Sequence, residues 1–237
     1  MLKFGGTSLS SPKKIRDVAQ TITSFTKNNE IIVVCSAIDG ITDELIQISR
    51  MVEQKKKDGV TKTLDKIIKK HKDFANQTIK NPAIKKQLLK KLSADVSELQ
   101  ELVRGLALLK EVSVRSLDYL ISFGERLSDD LVSYALQDIR KKSTALNGKE
   151  VGIVTDSNFG ESRPLMDTTR IRISKTLGSL LSKKIIPVVG GFAGADEHGN
   201  ITTFGRGGSD YTATIIASCI NADEVWLMSD VNGLMTA

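Results

Sequence analysis

Short apolar runs alternate with longer amphipathic stretches along this chain. Two runs, Ile31–Val34 and Ile185–Val189, are rich in β-branched residues and have the length of buried strands. Elsewhere apolar residues recur at helical spacing, first at Ile15, Val18, Ala19, Ile22 and Phe25. Strands separated by helices are typical of a parallel sheet with helical crossovers. The pattern therefore predicts an α/β fold with a mostly parallel sheet.

Boundary signals place the remaining elements. Ser11 and Pro12 predict a helix start, because serine caps a helix N-terminus and proline fits its first position. We expect further strands at Met1–Phe4, Thr144–Leu146, Val151–Val154 and Glu224–Met228, and a hairpin around Asp196–Asn200. We expect further helices from about Thr42, at Ser113–Ile121 and at Ile171–Leu181. Trp226 is expected to be a core residue of the last strand.

Residues 54–104 are helical in character, with one interruption at Asn81-Pro82. Thirteen lysines and three aspartates between Gln54 and Lys91 give this region a charge of +10, so the remainder carries −4 of the total +6. The same stretch has no arginine and one aromatic residue, Phe74, whereas nucleic-acid surfaces usually recruit both. We favour a helical hairpin with a solvated lysine face over a nucleic-acid surface. Salt-dependent binding to nucleic acid would support the second alternative.

Composition narrows the class of protein. The 237 residues are 40% hydrophobic, but no apolar run approaches the roughly 18 residues of a membrane span. Cys35 and Cys219 lie in apolar segments and are interpreted as buried free thiols in a reducing compartment. His71 and His198 are the only histidines, so no zinc-ligand spacing exists. We expect a cytoplasmic protein with no membrane partner and no metal-ligating cluster.

The most informative loop is Gly205–Asp210, with the sequence Gly-Arg-Gly-Gly-Ser-Asp. It follows a strand-like stretch and leads into a helical pattern from Tyr211. Free N–H groups and the dipole of a helix N-terminus attract anions, and Arg206 adds a planar fork suited to a carboxylate or phosphate. The loop therefore predicts a small anionic ligand.

Other polar segments follow predicted strands and are expected at the same edge of the sheet, where α/β proteins bind ligands. They are Lys3–Gly6, Ser36–Thr42, Gly190-Gly191 and Ser229-Asp230. Lys3–Ser8 is too short for a Walker loop but offers a cation, two glycines and two hydroxyls. Alone, a glycine pair after a strand is a weak signal.

In combination, five motifs resemble those of aspartate kinases, which belong to the amino-acid kinase superfamily. They occur in the family's order, at residues 3–8, 40–42, 123–125, 205–210 and 229–233. The resemblance spans nearly the whole chain. It implies a three-layer αβα sandwich in which about 1–184 form an amino-acid-binding lobe and about 185–237 begin a nucleotide-binding lobe. Residues 54–104 would be a helical hairpin inserted into that fold.

The resemblance also implies a reaction and a set of roles. Aspartate kinases transfer the γ-phosphoryl group of ATP, with Mg²⁺, to the side-chain carboxylate of L-aspartate, the first step toward lysine, threonine and methionine. The catalytic residues would be Lys3 and Asp210, and whether Asp210 also contacts Mg²⁺ is left open. The amino acid would be bound by Thr42, Glu125, Arg206, Gly207, Gly208 and Ser209. The nucleotide would be bound by Lys3, Phe4, Gly5, Gly6, Ser229, Asp230 and Met235.

The chemistry agrees with this residue set. A carboxylate with a pKa of roughly 4 is already ionised at neutral pH, so the transfer needs no general base. It does need cationic screening, because one anion attacks another. Lys3 is our choice for that cation. For Glu125 alone, solvated charge at a helix boundary is the usual explanation, because Arg126, Asp129 and Asp130 are its neighbours.

Some features depart from the family's pattern. Met235 stands where a tyrosine is usual, and the chain stops before an expected second phosphate-binding lysine and before the regulatory domains. We therefore expect a catalytic portion with an incomplete nucleotide site. A homodimer is also expected. The alternatives are a non-catalytic or truncated regulatory, ligand-binding subunit of the same fold, or a kinase for another amino acid.

Overall fold

A parallel five-stranded sheet forms the centre of the molecule. The computed structural model describes residues 1–228, so Ser229, Asp230 and Met235 lie outside the described part. In the order in which they pair, the strands are β3 (Ser143–Leu146), β5 (Ile186–Gly190), β2 (Val33–Cys35), β1 (Leu2–Phe4) and β8 (Trp226–Met228). All four pairings are parallel, as the alternation of strands and helices predicts.

The chain also forms a second, three-stranded sheet. It contains β4 (Val154–Thr155), β6 (Ala193–Asp196) and β7 (Ile201–Thr203). β6 pairs in parallel with β4 and antiparallel with β7, which confirms the hairpin expected around residues 196–200. This hairpin leads directly into the 205–210 loop.

The two faces of the central sheet pack against separate hydrophobic cores. Val33 and Cys35 of β2 point into one core, and Ile32 and Val34 into the other, because successive side chains of a strand alternate between faces. Helices cover both faces, so the three-layer αβα arrangement is confirmed. The helices are α1 (Pro12–Phe25), α2 (Ile41–Glu53), α3 (Lys57–Thr78), α4 (Pro82–Leu109), α5 (Val114–Asp138), α6 (Gly148–Val151), α7 (Met166–Leu181) and α8 (Gly208–Ile220).

Local capping explains where several helices begin. The Ser11 hydroxyl accepts a hydrogen bond from the Lys14 N–H at 3.2 Å, and Pro12 occupies the first helical position, as predicted. Asn81 caps α4 by accepting bonds from the N–H groups of Ala83 and Ile84. The Asn81-Pro82 pair therefore separates two helices and confirms the hairpin α3–α4.

The lysine-rich hairpin has one buried face and one solvated face. Apolar side chains such as Leu64, Ile67 and Leu88 join the larger core, while eleven of the thirteen lysines are exposed and the other two are partly buried. His71 is fully buried, which lowers its pKa to about 4, and its Nδ1 atom lies 2.8 Å from the Ile67 carbonyl oxygen. The histidine is therefore a neutral core residue.

Three local expectations are wrong. α5 runs without a break through Phe123–Glu125, so Glu125 is not at a helix boundary. Residues 148–151 form the short helix α6, closed by a capping box between Asn147 and Glu150, and the strand begins only at Val154. Trp226 is 47% exposed, because β8 is the edge strand of the sheet and pairs on one side only within the described residues.

No helix in residues 1–228 combines the length and the apolar character needed to cross a membrane. Both cysteines are buried and free, as expected.

Candidate active site

The carboxyl ends of three neighbouring strands open into one cleft. Phe4 pairs with Cys35, and Cys35 pairs with Gly190, so the segments that follow β1, β2 and β5 leave the sheet at the same edge. The cleft has a volume of about 820 Å³. The sequence-predicted residues that line it are Lys3, Gly6, Thr42, Glu125, Arg206, Gly207, Gly208, Ser209 and Asp210.

Lys3 and Asp210 form an ion pair at the sheet end of the cleft. The distance from Lys3 Nζ to Asp210 Oδ1 is 2.7 Å. The lysine side chain is 13% exposed and the aspartate 51%, so the cation is held inside while its partner faces solvent. The pair joins β1 to the first turn of α8. A fixed, partly desolvated ammonium group at this position is suited to an anionic phosphoryl group.

The loop after β1 approaches its neighbour closely. A Cβ atom on Gly6 would lie 2.8 Å from the Ala37 carbonyl oxygen, so a larger residue would push the loops after β1 and β2 apart. The Phe4 side chain is buried in the larger core, which leaves only its backbone available to a ligand. Gly5 lies next to the cleft, since its Cβ position would be 3.8 Å from Lys3 Nζ.

The glycine loop presents the N-terminus of α8 to the cleft. Gly207 precedes the helix with φ of 75°, a left-handed conformation that favours glycine. The Arg206 side chain is exposed and has no ion-pair partner among residues 1–228. Ser209 is buried at the start of the helix. Arg206, the helix N-terminus and nearby N–H groups together can bind a carboxylate.

Glu125 forms the acidic part of the same cleft. It is 5% exposed, and burial raises the pKa of its carboxyl group to about 8. Its Oε1 atom accepts a hydrogen bond from the Ala37 N–H at 3.3 Å, whereas no group in the described chain donates to Oε2. Thr42, in the first turn of α2, lines the cleft nearby. A buried carboxylate with one unsatisfied oxygen is suited to a cationic ligand.

Phe192 and Asp118 are among the further cleft-lining residues that escaped the sequence analysis. Phe192 follows β5 and has φ of 70°, a strained conformation for a bulky residue. Asp118 lies on α5 seven residues before Glu125. That spacing, two helical turns, places both acids on one face and is the signal that could have revealed Asp118.

The neighbours of Glu125 are not the solvated charges that the sequence suggested. Asp129 and Asp130 are buried, because α5 packs between the sheet and α4. Arg126 is partly buried and lies 2.5 Å from carboxylate oxygens of both Asp95 and Glu98 on α4. Burial raises the pKa of Asp130 to about 7, and burial together with the neighbouring Asp130 raises the pKa of Asp129 well above its usual value.

Comparison with known proteins identifies the fold. The model of the amino acid kinase family matches residues 1–237. This chain belongs to the amino acid kinase family. Within that family, aspartokinase 2 of Arabidopsis thaliana, a chloroplastic protein, is 33% identical to it over all of the chain and 42% of the relative. The aspartokinase of Corynebacterium glutamicum is 30% identical over 99% of the chain and 42% of the relative.

Solved structures of the family agree. Aspartokinase III of E. coli in complex with lysine and aspartate (T-state) superimposes with a TM-score of 0.88 and 26% identity, over 98% of this chain and 49% of that one. The same enzyme with aspartate and ADP (R-state) gives a TM-score of 0.85. The chain thus spans about two fifths of the length of the curated relatives it matches.

Proposed function

We propose that this amino acid kinase is the catalytic portion of an aspartate kinase. It would catalyse phosphorylation of the side-chain carboxylate of L-aspartate by ATP to 4-phospho-L-aspartate, the first step of lysine, threonine and methionine biosynthesis. One observation carries the proposal. A single cleft contains the ion-paired ammonium group of Lys3, the cationic loop with Arg206 and the buried carboxyl group of Glu125, which has one unsatisfied oxygen. An amino acid with a second carboxylate offers the complementary groups.

The chemistry of the cleft assigns a role to each residue. Glu125 and Thr42 would bind the α-ammonium group, and Arg206 with Gly207, Gly208 and Ser209 would bind the α-carboxylate. The side-chain carboxylate oxygen would then attack the γ-phosphorus as the bond to the ADP oxygen breaks. No proton moves in this step, because the attacking carboxylate is already ionised. Lys3 would neutralise the charge on the transferring group.

Asp210 would hold Lys3 in position, since their charged atoms lie 2.7 Å apart. Mg²⁺ in phosphoryl-transfer sites is usually bound by one or two carboxylates together with phosphate oxygens. The half-exposed Asp210 fits such a ligand, and the metal ion would screen the phosphate charge. No cluster of three or more His, Cys, Asp or Glu side chains suited to a metal occurs in residues 1–228.

The remaining expectations stay proposals. We propose an amino-acid-binding lobe at about 1–184 and the start of a nucleotide-binding lobe at about 185–237, to which Gly5, Gly6, Ser229, Asp230 and Met235 would contribute. A cytoplasmic location and a homodimer are also predictions. The similarity of the chain to aspartokinases with aspartate and ADP bound supports the two substrates.

The deciding assay measures ATP turnover with L-aspartate, L-glutamate, N-acetylglutamate and carbamate, using hydroxylamine to trap the acyl phosphate. The assay uses the full natural chain. We expect product with L-aspartate only. Trapped product with another acceptor would assign a different substrate, and absence of product with all four would support the non-catalytic alternative.

A lysine variant tests the mechanism in the same assay. We expect Lys3→Ala to lower kcat by about 10²–10³-fold, because it removes a cation aimed at the transferring charge. The matched control is Lys69→Ala, which removes an exposed lysine from α3. Turnover that survives Lys3→Ala in a folded protein would refute the role of Lys3.

A further inference from the structure

Asp118 is a buried carboxylate at the edge of the cleft whose hydrogen bonds all come from uncharged groups. It is 1% exposed. Its Oδ2 atom accepts bonds from the N–H groups of Gly160 and Thr203, both at 2.9 Å, and its Oδ1 atom accepts one from the Thr203 hydroxyl at 2.7 Å. No lysine or arginine in the described chain forms an ion pair with it.

These bonds fix both segments that border the glycine loop. Thr203 is the last residue of β7, three positions before Arg206. Gly160 lies in the connection between β4 and α7, and its carbonyl oxygen would be 3.3 Å from a Cβ atom on Gly205. A single side chain of α5 therefore holds the end of β7 and the backbone that packs against the turn at Gly205.

The same helix carries Glu125 seven residues later, on the same face. That spacing corresponds to about 10 Å along the helix axis. The α-ammonium and α-carboxylate groups of an amino acid are bonded to the same carbon, so their two binding groups must be held at a fixed separation. Arg206 belongs to a loop and Glu125 to a helix, and Asp118 bonds that helix to the two segments beside the loop.

We propose that Asp118 is a positioning residue that sets the glycine loop relative to Glu125 and thereby determines affinity for the amino-acid headgroup. This inference rests on the proposed function. Three of the roughly four acceptor sites of a carboxylate are already occupied in Asp118, so its role is to orient the loop rather than to bind substrate directly. Phosphoryl transfer itself depends on Lys3, which belongs to β1.

Two substitutions at one position distinguish position from charge. Asp118→Ala removes all three bonds, and we expect the KM for L-aspartate to rise about 10- to 100-fold while kcat and the KM for ATP change less than about threefold. Asp118→Asn keeps the geometry, because its amide oxygen can accept from both N–H groups while its NH2 group donates to the Thr203 hydroxyl. We expect Asn to restore the KM to within about threefold of wild type.

Substrate analogues locate the effect without turnover. Succinate lacks the ammonium group, and β-alanine lacks the α-carboxylate. Calorimetry should show that Asp118→Ala weakens succinate about as much as L-aspartate but leaves β-alanine within about threefold of wild type, because the disturbed loop binds only the α-carboxylate. Equal weakening of both analogues would overturn the proposal.

Matched variants control for folding. Asp138→Ala removes a carboxylate at the other end of α5 that accepts bonds from the Lys80 and Asn81 N–H groups, and it should leave both KM values unchanged. If Asp118→Ala does not fold, Thr203→Val removes only the hydroxyl bond and should raise the KM for L-aspartate about 3- to 10-fold.

The outcomes separate the two proposals. A wild-type protein that neither binds nor phosphorylates L-aspartate refutes the proposed function and this inference together. An active wild type in which Asp118→Ala and Thr203→Val leave the KM for L-aspartate unchanged, or in which Asp118→Asn is as impaired as Ala, refutes only the role of Asp118.

Discussion

Glu125 should make amino-acid binding depend on pH. Burial raises the pKa of this carboxyl group to about 8, so at pH 7 only about one tenth of the free protein has it ionised. An ammonium group pairs with the ionised form. Under the proposed function, binding of L-aspartate at neutral pH should therefore release a proton from Glu125.

The size of the effect follows from the pKa. Well below pH 8, each pH unit removes about 1.4 kcal/mol of binding free energy, or a factor of ten in affinity. Between pH 8, where half of Glu125 is ionised, and pH 6, the affinity for L-aspartate should fall about 50-fold. The ammonium group of the amino acid stays protonated throughout this range, and so does not contribute.

The perturbation is Glu125→Gln, which keeps the shape of the side chain but cannot ionise. Calorimetric titration in two buffers of different ionisation enthalpy measures the proton release. We expect about 0.9 proton per L-aspartate for the wild type at pH 7. For the glutamine variant we expect no release, weaker binding and no pH dependence between 6 and 8.

The groups that face Glu125 define the control. Lys3 and Arg206 line the same cleft, and the Ala37 N–H that bonds to Glu125 does not titrate. Asp129 is a second buried acid, one helical turn further along α5. Asp129→Asn should therefore retain the proton release. The reasoning is refuted if the wild type binds L-aspartate with the same affinity at pH 6 and pH 8, or if Gln at position 125 still releases a proton.

Three further predictions concern stability and packing. Because the pKa of Glu125 is raised in the folded state, its contribution to stability is lost as pH rises from about 4.5 to about 8. At pH 9 the free energy of unfolding of Glu125→Gln, measured in urea, should therefore exceed that of wild type by up to about 5 kcal/mol. Equal stability of the two proteins would contradict this. Gly6→Ala should abolish turnover, because its Cβ atom would meet the Ala37 carbonyl oxygen. The control Gly105→Ala in α4 has open space around its Cβ position and should stabilise the protein by about 0.5–1 kcal/mol. An active Gly6→Ala enzyme would contradict the close approach of the two loops. Arg126→Met should lower the free energy of unfolding in urea by about 2 kcal/mol. This is less than the loss of a typical buried ion pair, because Lys91 still pairs with Asp95. An unchanged urea midpoint would mean that the Arg126–Asp95 pair does not stabilise the protein.

Much of the fold follows from local patterns. The helix starts at Pro12 and Pro82 depend on a capping side chain beside a proline, and the buried strands at residues 33–35 and 186–190 on β-branched runs. Local pattern also located the cleft. The segments after β1, β2 and β5 contain the glycines and the cation, and a parallel sheet brings such segments to one edge.

Other features depend on contacts between distant parts of the chain. The buried state of Asp129 and the raised pKa of Glu125 arise because α5 packs between α4 and the sheet, which no local pattern encodes. Within residues 1–228, the exposure of Trp226 follows from the edge position of β8 in the strand order. Likewise, Asp118 accepts hydrogen bonds from Gly160 and Thr203, which lie 42 and 85 positions further along the chain. The sequence by itself determined where most helices and strands lie and which residues carry charge. The tertiary structure alone decided which charges are removed from water, because desolvation depends on everything that packs around a side chain.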